Sequence, residues 1–151
     1  QFVIAAAPSI ESEFYLSIVK NNSIKIIHDN TYNLLIHSKA ALVTSGTATL
    51  ETALLKIPQL VCYKTSFVSF FIAKRLVKLN YISLVNLILN KEVVKELIQK
   101  NCNIKKITEE LKELLMRKNK SILKEYELLF KKIGNKKASK ITSKLIINSI
   151  K

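Results

Sequence analysis

The chain has 151 residues, 48% hydrophobic and 24% charged, with only two Gly and two Pro. That suffices for one domain with a sizeable core and argues against long irregular linkers. The net charge of +14 lies entirely in residues 61–151, because residues 1–60 carry four Lys against four acids. A basic half of this kind points to an anionic partner, nucleic acid or a membrane surface, unless it only reflects the Lys and Asn bias of an AT-rich coding sequence. The longest stretch without a charge, Leu79 to Asn90, is twelve residues, whereas a spanning helix needs about 20. Gln1 runs straight into Phe2-Val3-Ile4-Ala5-Ala6-Ala7 with no Met and no basic leader. The expectation is therefore a piece of a longer protein without a secretory signal. Cys62 and Cys102 lack metal-ligand spacing, and Cys62 reads as a buried free thiol in a reducing compartment.

In chain order, Phe2 to Ala7 predicts a strand ended by Pro8-Ser9, and Ile10 to Lys20 a helix. Ser23 to Ile27 is a second strand, Thr31 to Ser38 a short helix, Ala40 to Thr44 a third strand and Thr47 to Lys56 a helix. Pro58 to Tyr63 is the fourth strand. Strands alternating with helices predict an α/β fold, a Rossmann-like doubly wound parallel sheet. Phe67 to Leu79 predicts a helix with Phe67, Phe70 and Phe71 on one broad face and Lys74, Arg75 and Lys78 punctuating it. This is either a core helix with snorkelling cations or a patch that meets acyl chains and lipid phosphates. Glu92 to Lys100, Ile104 to Arg117, Lys120 to Ile133 and Lys136 to Ile150 predict four amphipathic helices, with breaks at residues 101–103 and at Gly134-Asn135.

The junction at Ser45-Gly46-Thr47 is strand, tight turn, helix. A helix start offers unpaired N–H groups and the positive end of the dipole, which suits a phosphate or diphosphate. Glu51, four residues after Thr47, lies on the same face about 6 Å further along. Its carboxylate can accept from two ribose hydroxyls, so the stretch reads as a nucleotide grip. The alternative is an ordinary capped turn followed by a solvated Glu. In open parallel sheets ligands bind at the carboxyl ends of the strands, where this turn falls. His28 and His37 sit in no metal-like or nucleophile-paired motif, and no acid/base pair is evident.

Ser45-Gly46-Thr47-Ala48-Thr49-Leu50-Glu51 is followed in order by Pro58-Gln59-Leu60-Val61-Cys62-Tyr63-Lys64, Ala73-Lys74-Arg75-Leu76-Val77-Lys78, Tyr81-Ile82-Ser83-Leu84-Val85-Asn86-Leu87 and Glu96-Leu97-Ile98-Gln99. This succession, over roughly residues 40–115, resembles the lipid-A-disaccharide synthase family. The Ser-Gly-Thr-x-x-x-Glu piece alone recurs with variations across glycosyltransferases built of two Rossmann domains (the GT-B type). The resemblance implies the carboxy-terminal, donor-binding half of a hexosyltransferase that works without a metal or other cofactor. The family moves 2,3-diacylglucosamine from its UDP conjugate to 2,3-diacylglucosamine 1-phosphate during lipid A assembly in Gram-negative bacteria. By the same resemblance Ser45, Gly46 and Thr47 stand at the diphosphate, Glu51 at the ribose and Asn86 near the donor, while Glu96 and Gln99 belong to the same motif. Val85 stands where the family usually has Pro, and the family's preceding Pro-Gly-Ser-Arg segment is not in this sequence.

The resemblance thus implies residues 1–115 as a Rossmann-like UDP-sugar-binding domain. Residues 116–151 form a helical extension that packs on an amino-terminal domain or, as a homodimer, on a second subunit. It places no catalytic residue in this chain and expects the general base in the amino-terminal domain. It also implies a cytoplasmic protein, peripheral on the anionic inner membrane through Phe67, Phe70, Phe71, Lys74, Arg75 and Lys78. Two other readings compete, a UDP-sugar epimerase of the same architecture and a basic nucleic-acid-binding module. The chain lacks the interleaved aromatic and basic residues that stacking on single strands requires, so nucleic acid is not expected as the partner.

Overall fold

The computed structural model describes residues 1–19, 23–44, 46–66, 80–116, 119–134 and 138–150. Chain order is β1 (Val3–Ala5), α1 (Ser12–Ile18), β2 (Lys25–Ile27), α2 (Thr31–Ile36), β3 (Ala41–Val43), α3 (Thr47–Leu54) and β4 (Gln59–Tyr63). Then come α4 (Leu84–Leu89), β5 (Lys95–Ile98), a 3-10 turn (Gln99–Asn101), α5 (Ile104–Met116), α6 (Lys120–Ile133) and α7 (Ala138–Ile150). Every strand pairing is parallel. β1 pairs with β2, and β4 lies between β3 and β5 with Leu42 opposite Leu60 and Cys62 opposite Leu97. The alternation expected from the sequence is present, and the fold is a Rossmann-like α/β arrangement.

β4 shows why the centre is built this way. Successive side chains of a strand point to opposite faces, and Leu60 and Val61 are 1% and 0% exposed. Both faces of β4 are therefore covered, as a parallel strand between helical layers requires. Val61 packs with Ala53 of α3, Val85 of α4, Val94, and Tyr126 and Leu129 of α6. Leu60 faces a cleft walled by Leu114 of α5. Full burial of a side chain the size of Leu129 contributes roughly 2 kcal/mol, so α6, inside the expected helical extension, is held by this chain's own α3 and α4. Lys91 and Glu125 add an ion pair at 2.6 Å between the end of α4 and α6. By contrast, Leu145, Ile146 and Ile150 of α7 are exposed.

Residues 92–100 differ from the expectation of a helix, because Lys95–Ile98 form β5 and the 3-10 turn begins at Gln99. Val94 and Leu97, three apart, fit a helical stripe, whereas in extended chain they point to opposite faces. Val94, just ahead of β5, is completely buried in the core cluster, and Leu97, paired with Cys62 of β4, is 3% exposed. Tertiary pairing has overridden local preference. The stretch 84–89 carries a helix not anticipated from the sequence, started by Ser83, whose Oγ accepts from the Asn86 N–H. The Phe67–Leu79 helix falls outside the described residues. Among those described, no helix is long and apolar enough to cross a membrane.

Candidate functional site

The site is assembled at the carboxyl ends of β3, β4 and β5. After β3 the chain turns at Gly46, whose φ of +72° and ψ of −148° lie in a region that side-chain-bearing residues scarcely enter. No neighbour comes within 4 Å of where a Cβ would stand. Glycine is therefore required here by the backbone and not by crowding. Gly46 is also the N-cap of α3, which has no side-chain cap and no acid in its first turn. Gly46, Thr47 and Ala48 are exposed. The positive end of α3 thus faces outward without an internal anion to neutralise it. Glu51 is half-buried one turn further along.

The turn is braced from behind. The Gly46 carbonyl accepts from the Thr49 N–H at 3.2 Å and from Thr49 Oγ1 at 2.7 Å. The same Thr49 oxygen accepts from the Leu84 N–H at 3.2 Å, and Gly46 bridges Ser83 in parallel. Residues 82–84 are fixed in turn by Glu96. Its Oε1 accepts from Ser83 N at 3.0 Å, Ser83 Oγ at 2.7 Å and Asn86 Nδ2 at 2.8 Å, and its Oε2 accepts from Ile82 N at 2.9 Å. Asn86 is wholly buried. Its Nδ2 also donates to the Val94 carbonyl, while its Oδ1 accepts from Val93 N and Val94 N. Both donors and both acceptor lone pairs are therefore spent inside the protein. Val85, at the position usually Pro in the resembled family, sits in the core at 0% exposure.

Gln99 stands apart, at the exit of β5. Its φ of +51° puts a non-glycine residue in the left-handed region. Its side chain clamps the Thr65 backbone from both sides, accepting from Thr65 N at 2.9 Å and donating to Thr65 O at 3.1 Å. Of the expected site residues, Gly46, Thr47 and Glu51 share the exposed turn and helix. Asn86 and Glu96 form the internal brace behind them, and Gln99 guards the end of β4. Ser45, Phe67, Phe70, Phe71, Lys74, Arg75 and Lys78 lie outside the described residues.

Sequence reasoning passed over Thr49 and Ser83, the links between turn and brace; a hydroxyl at the start of a helix was the available signal. It also passed over Gln59, which is buried in β4 and donates to the Thr49 carbonyl at 2.8 Å and to Tyr126 Oη at 3.3 Å. Burial pushes the Tyr126 phenol up to about 12, partly offset by its hydrogen bond with Gln59. Burial, and then neighbouring Cys102, push the Cys62 thiol up to about 11. Cys62 is thus a poor nucleophile at neutral pH. His28 meets Ser12 Oγ of α1 at 2.8 Å, and His37 Nδ1 donates to the Asn33 carbonyl one turn back at 2.8 Å. A cleft of about 540 Å³ opens at the other edge of the sheet, beside Gln59 and Lys95, the first residues of β4 and β5. None of the expected site residues lines it, and the carboxyl edge is the stronger candidate because open parallel sheets bind ligands there. Among the described residues, no group of three His, Cys, Asp or Glu is placed to hold a metal ion.

A family described as lipid-A-disaccharide synthetase matches residues 2–148. The chain belongs to the lipid-A-disaccharide synthetase family. It is similar to the lipid-A-disaccharide synthase of Sulfurihydrogenibium sp., with 39% identity over 118 residues, 77% of this chain and 30% of that protein. The synthase of Psychromonas ingrahamii is 46% identical over 94 residues, 62% of this chain and 25% of the relative. That of Colwellia psychrerythraea is 35% identical over 134 residues, 83% of this chain and 34% of the relative. The chain thus spans about a third or less of these synthases.

Proposed function

We propose that this chain is the donor-binding part of a lipid-A-disaccharide synthase. The observation that carries the reading is the exposed, uncapped start of α3 at Gly46-Thr47 with Glu51 one turn beyond it. Backbone N–H groups at the turn bind the diphosphate of the UDP-sugar, with Ser45 and Thr47 beside it, and the Glu51 carboxylate accepts from the ribose hydroxyls. In the transfer, the acceptor's 6-hydroxyl oxygen forms the new bond to the anomeric carbon of 2,3-diacylglucosamine. The bond from that carbon to the diphosphate breaks, UDP leaves, and the hydroxyl proton passes to a base outside this chain. The second substrate, 2,3-diacylglucosamine 1-phosphate, also docks mainly outside it. A helix dipole aimed at the diphosphate stabilises the charge that grows on the leaving group. Asn86 and Glu96 serve by holding residues 82–84 against the turn, and Gln99 by fixing the exit of β4.

Residues 1–115 then act as the UDP-sugar-binding unit. In the extension 116–151, the exposed stripe of α7 is covered by the amino-terminal part of the enzyme or by a second subunit. The test is product formation. The 151 residues alone should make no disaccharide, whereas a chain completed with the relatives' amino-terminal part should, and Glu51→Ala should abolish most of that activity. Product from the 151 residues alone, or full activity of the completed Glu51→Ala enzyme, would contradict the assignment.

The enzyme's substrates are acylated and phosphorylated, which favours contact with the anionic inner leaflet through Phe67, Phe70, Phe71, Lys74, Arg75 and Lys78. Each basic residue near such a surface contributes about 1 kcal/mol. Neutralising Lys74, Arg75 and Lys78 should therefore weaken binding to anionic liposomes at low salt by about two orders of magnitude. Unchanged binding would remove this patch from the account.

A further inference from the structure

We infer that Thr49 is a positioning residue for the diphosphate, acting through its hydroxyl on the Gly46 turn; this rests on the donor-binding reading above. Thr49 is the third residue of α3 and is 0% exposed, whereas Gly46, Thr47 and Ala48 before it are exposed. Its Oγ1 donates to the Gly46 carbonyl at 2.7 Å and accepts at 3.2 Å from the N–H of Leu84, the first residue of α4. On the inner side the Thr49 carbonyl accepts from Gln59 Nε2 of β4 at 2.8 Å. One buried residue thus joins the turn after β3, the start of α4 and the central strand.

Glycine has the widest choice of backbone conformations, and no neighbour stands within 4 Å of where a Cβ on Gly46 would be. Side-chain packing therefore does not select its φ of +72°. Hydrogen bonds do, since the Gly46 carbonyl takes both the N–H and the hydroxyl of Thr49, and Gly46 is bridged to Ser83. The Gly46 carbonyl and the Thr47 N–H share one rigid peptide plane and point in opposite directions. Drawing the carbonyl inward onto Thr49 therefore aims the Thr47 N–H outward, to the exposed side where the diphosphate binds. A hydroxyl has one proton and two lone pairs, so a single oxygen serves the Gly46 carbonyl and the Leu84 N–H at once. The oxygen of Thr49 sets the turn, and its methyl only fills space.

The experiment is calorimetric titration of the full chain with UDP, for wild type, Thr49→Val, Thr49→Ala and Thr49→Ser. Circular dichroism and urea denaturation check the fold and stability of each. Wild type and Thr49→Val match in size, as do Thr49→Ser and Thr49→Ala, so each pair differs in the hydroxyl. Loss of a buried methyl should lower the urea midpoint of Thr49→Ser. Affinity should follow the oxygen instead of the midpoint. UDP should bind about tenfold more weakly to Thr49→Val and Thr49→Ala, the loss of the hydroxyl's hydrogen bonds, and as in wild type to Thr49→Ser. If Thr49→Val does not fold, the comparison of Thr49→Ser with Thr49→Ala decides alone. Wild-type affinity in a folded variant without the hydroxyl, or a Thr49→Ser as weak as Thr49→Ala, would overturn the role of Thr49 and leave the donor site standing. Folded wild type that does not bind UDP would overturn both.

Discussion

Asn86→Ala should lower the unfolding free energy by about 3–5 kcal/mol, read as a shifted midpoint at unchanged slope in urea denaturation. The side chain makes four hydrogen bonds at 2.8–3.0 Å and is 0% exposed. Its removal leaves two backbone N–H groups, at Val93 and Val94, and the Val94 carbonyl without these partners. Each buried group left unsatisfied costs about 1–3 kcal/mol. Glu96 also loses one of four donors, which loosens residues 82–84 and the Gly46 turn bridged to them. Stability should therefore fall together with nucleotide binding. A loss below about 1 kcal/mol would mean that water or a neighbour replaces the amide, and that the brace is not what holds the turn.

The strand, glycine and helix from Ala41 to Leu54 were legible because each signal is local: a short apolar run, one glycine, then good helix formers. The brace was not. Glu96 lies thirteen residues from Ser83 and ten from Asn86, and nothing in the spacing says that an acidic residue in a β-strand accepts from a loop. Tracts around Asn86 and Glu96 entered only through family likeness, which marks positions without saying whether a side chain faces ligand or core. The 92–100 stretch was misread for a related reason, since Val94 and Leu97 fall at helical spacing and only the neighbouring β4 makes a strand covered on both faces. The apolar stripe of Tyr126 and Leu129 was visible, but its partner was not. Deciding that α6 lies on its own chain takes the core cluster of Ala53, Val61, Val85 and Val94.

Glu51→Ala should reduce affinity for UDP by about 10- to 100-fold, since hydrogen bonds to a charged group contribute about 1.5–3 kcal/mol. Glu51 is half-buried on α3, and the core cluster does not include it. Alanine is the best helix former, so the substitution should leave the fold and its stability nearly unchanged. That contrast separates the two variants, because Asn86→Ala loses binding through the fold and Glu51→Ala loses it at the ligand.

Calorimetric titration of the folded chain with UDP, wild type beside Glu51→Ala, tests the donor-site assignment most directly. The account predicts measurable binding to the wild type and a clear loss in the variant, with matching circular dichroism spectra. Equal affinity in the two proteins, or no binding by a wild type shown to be folded, would contradict it.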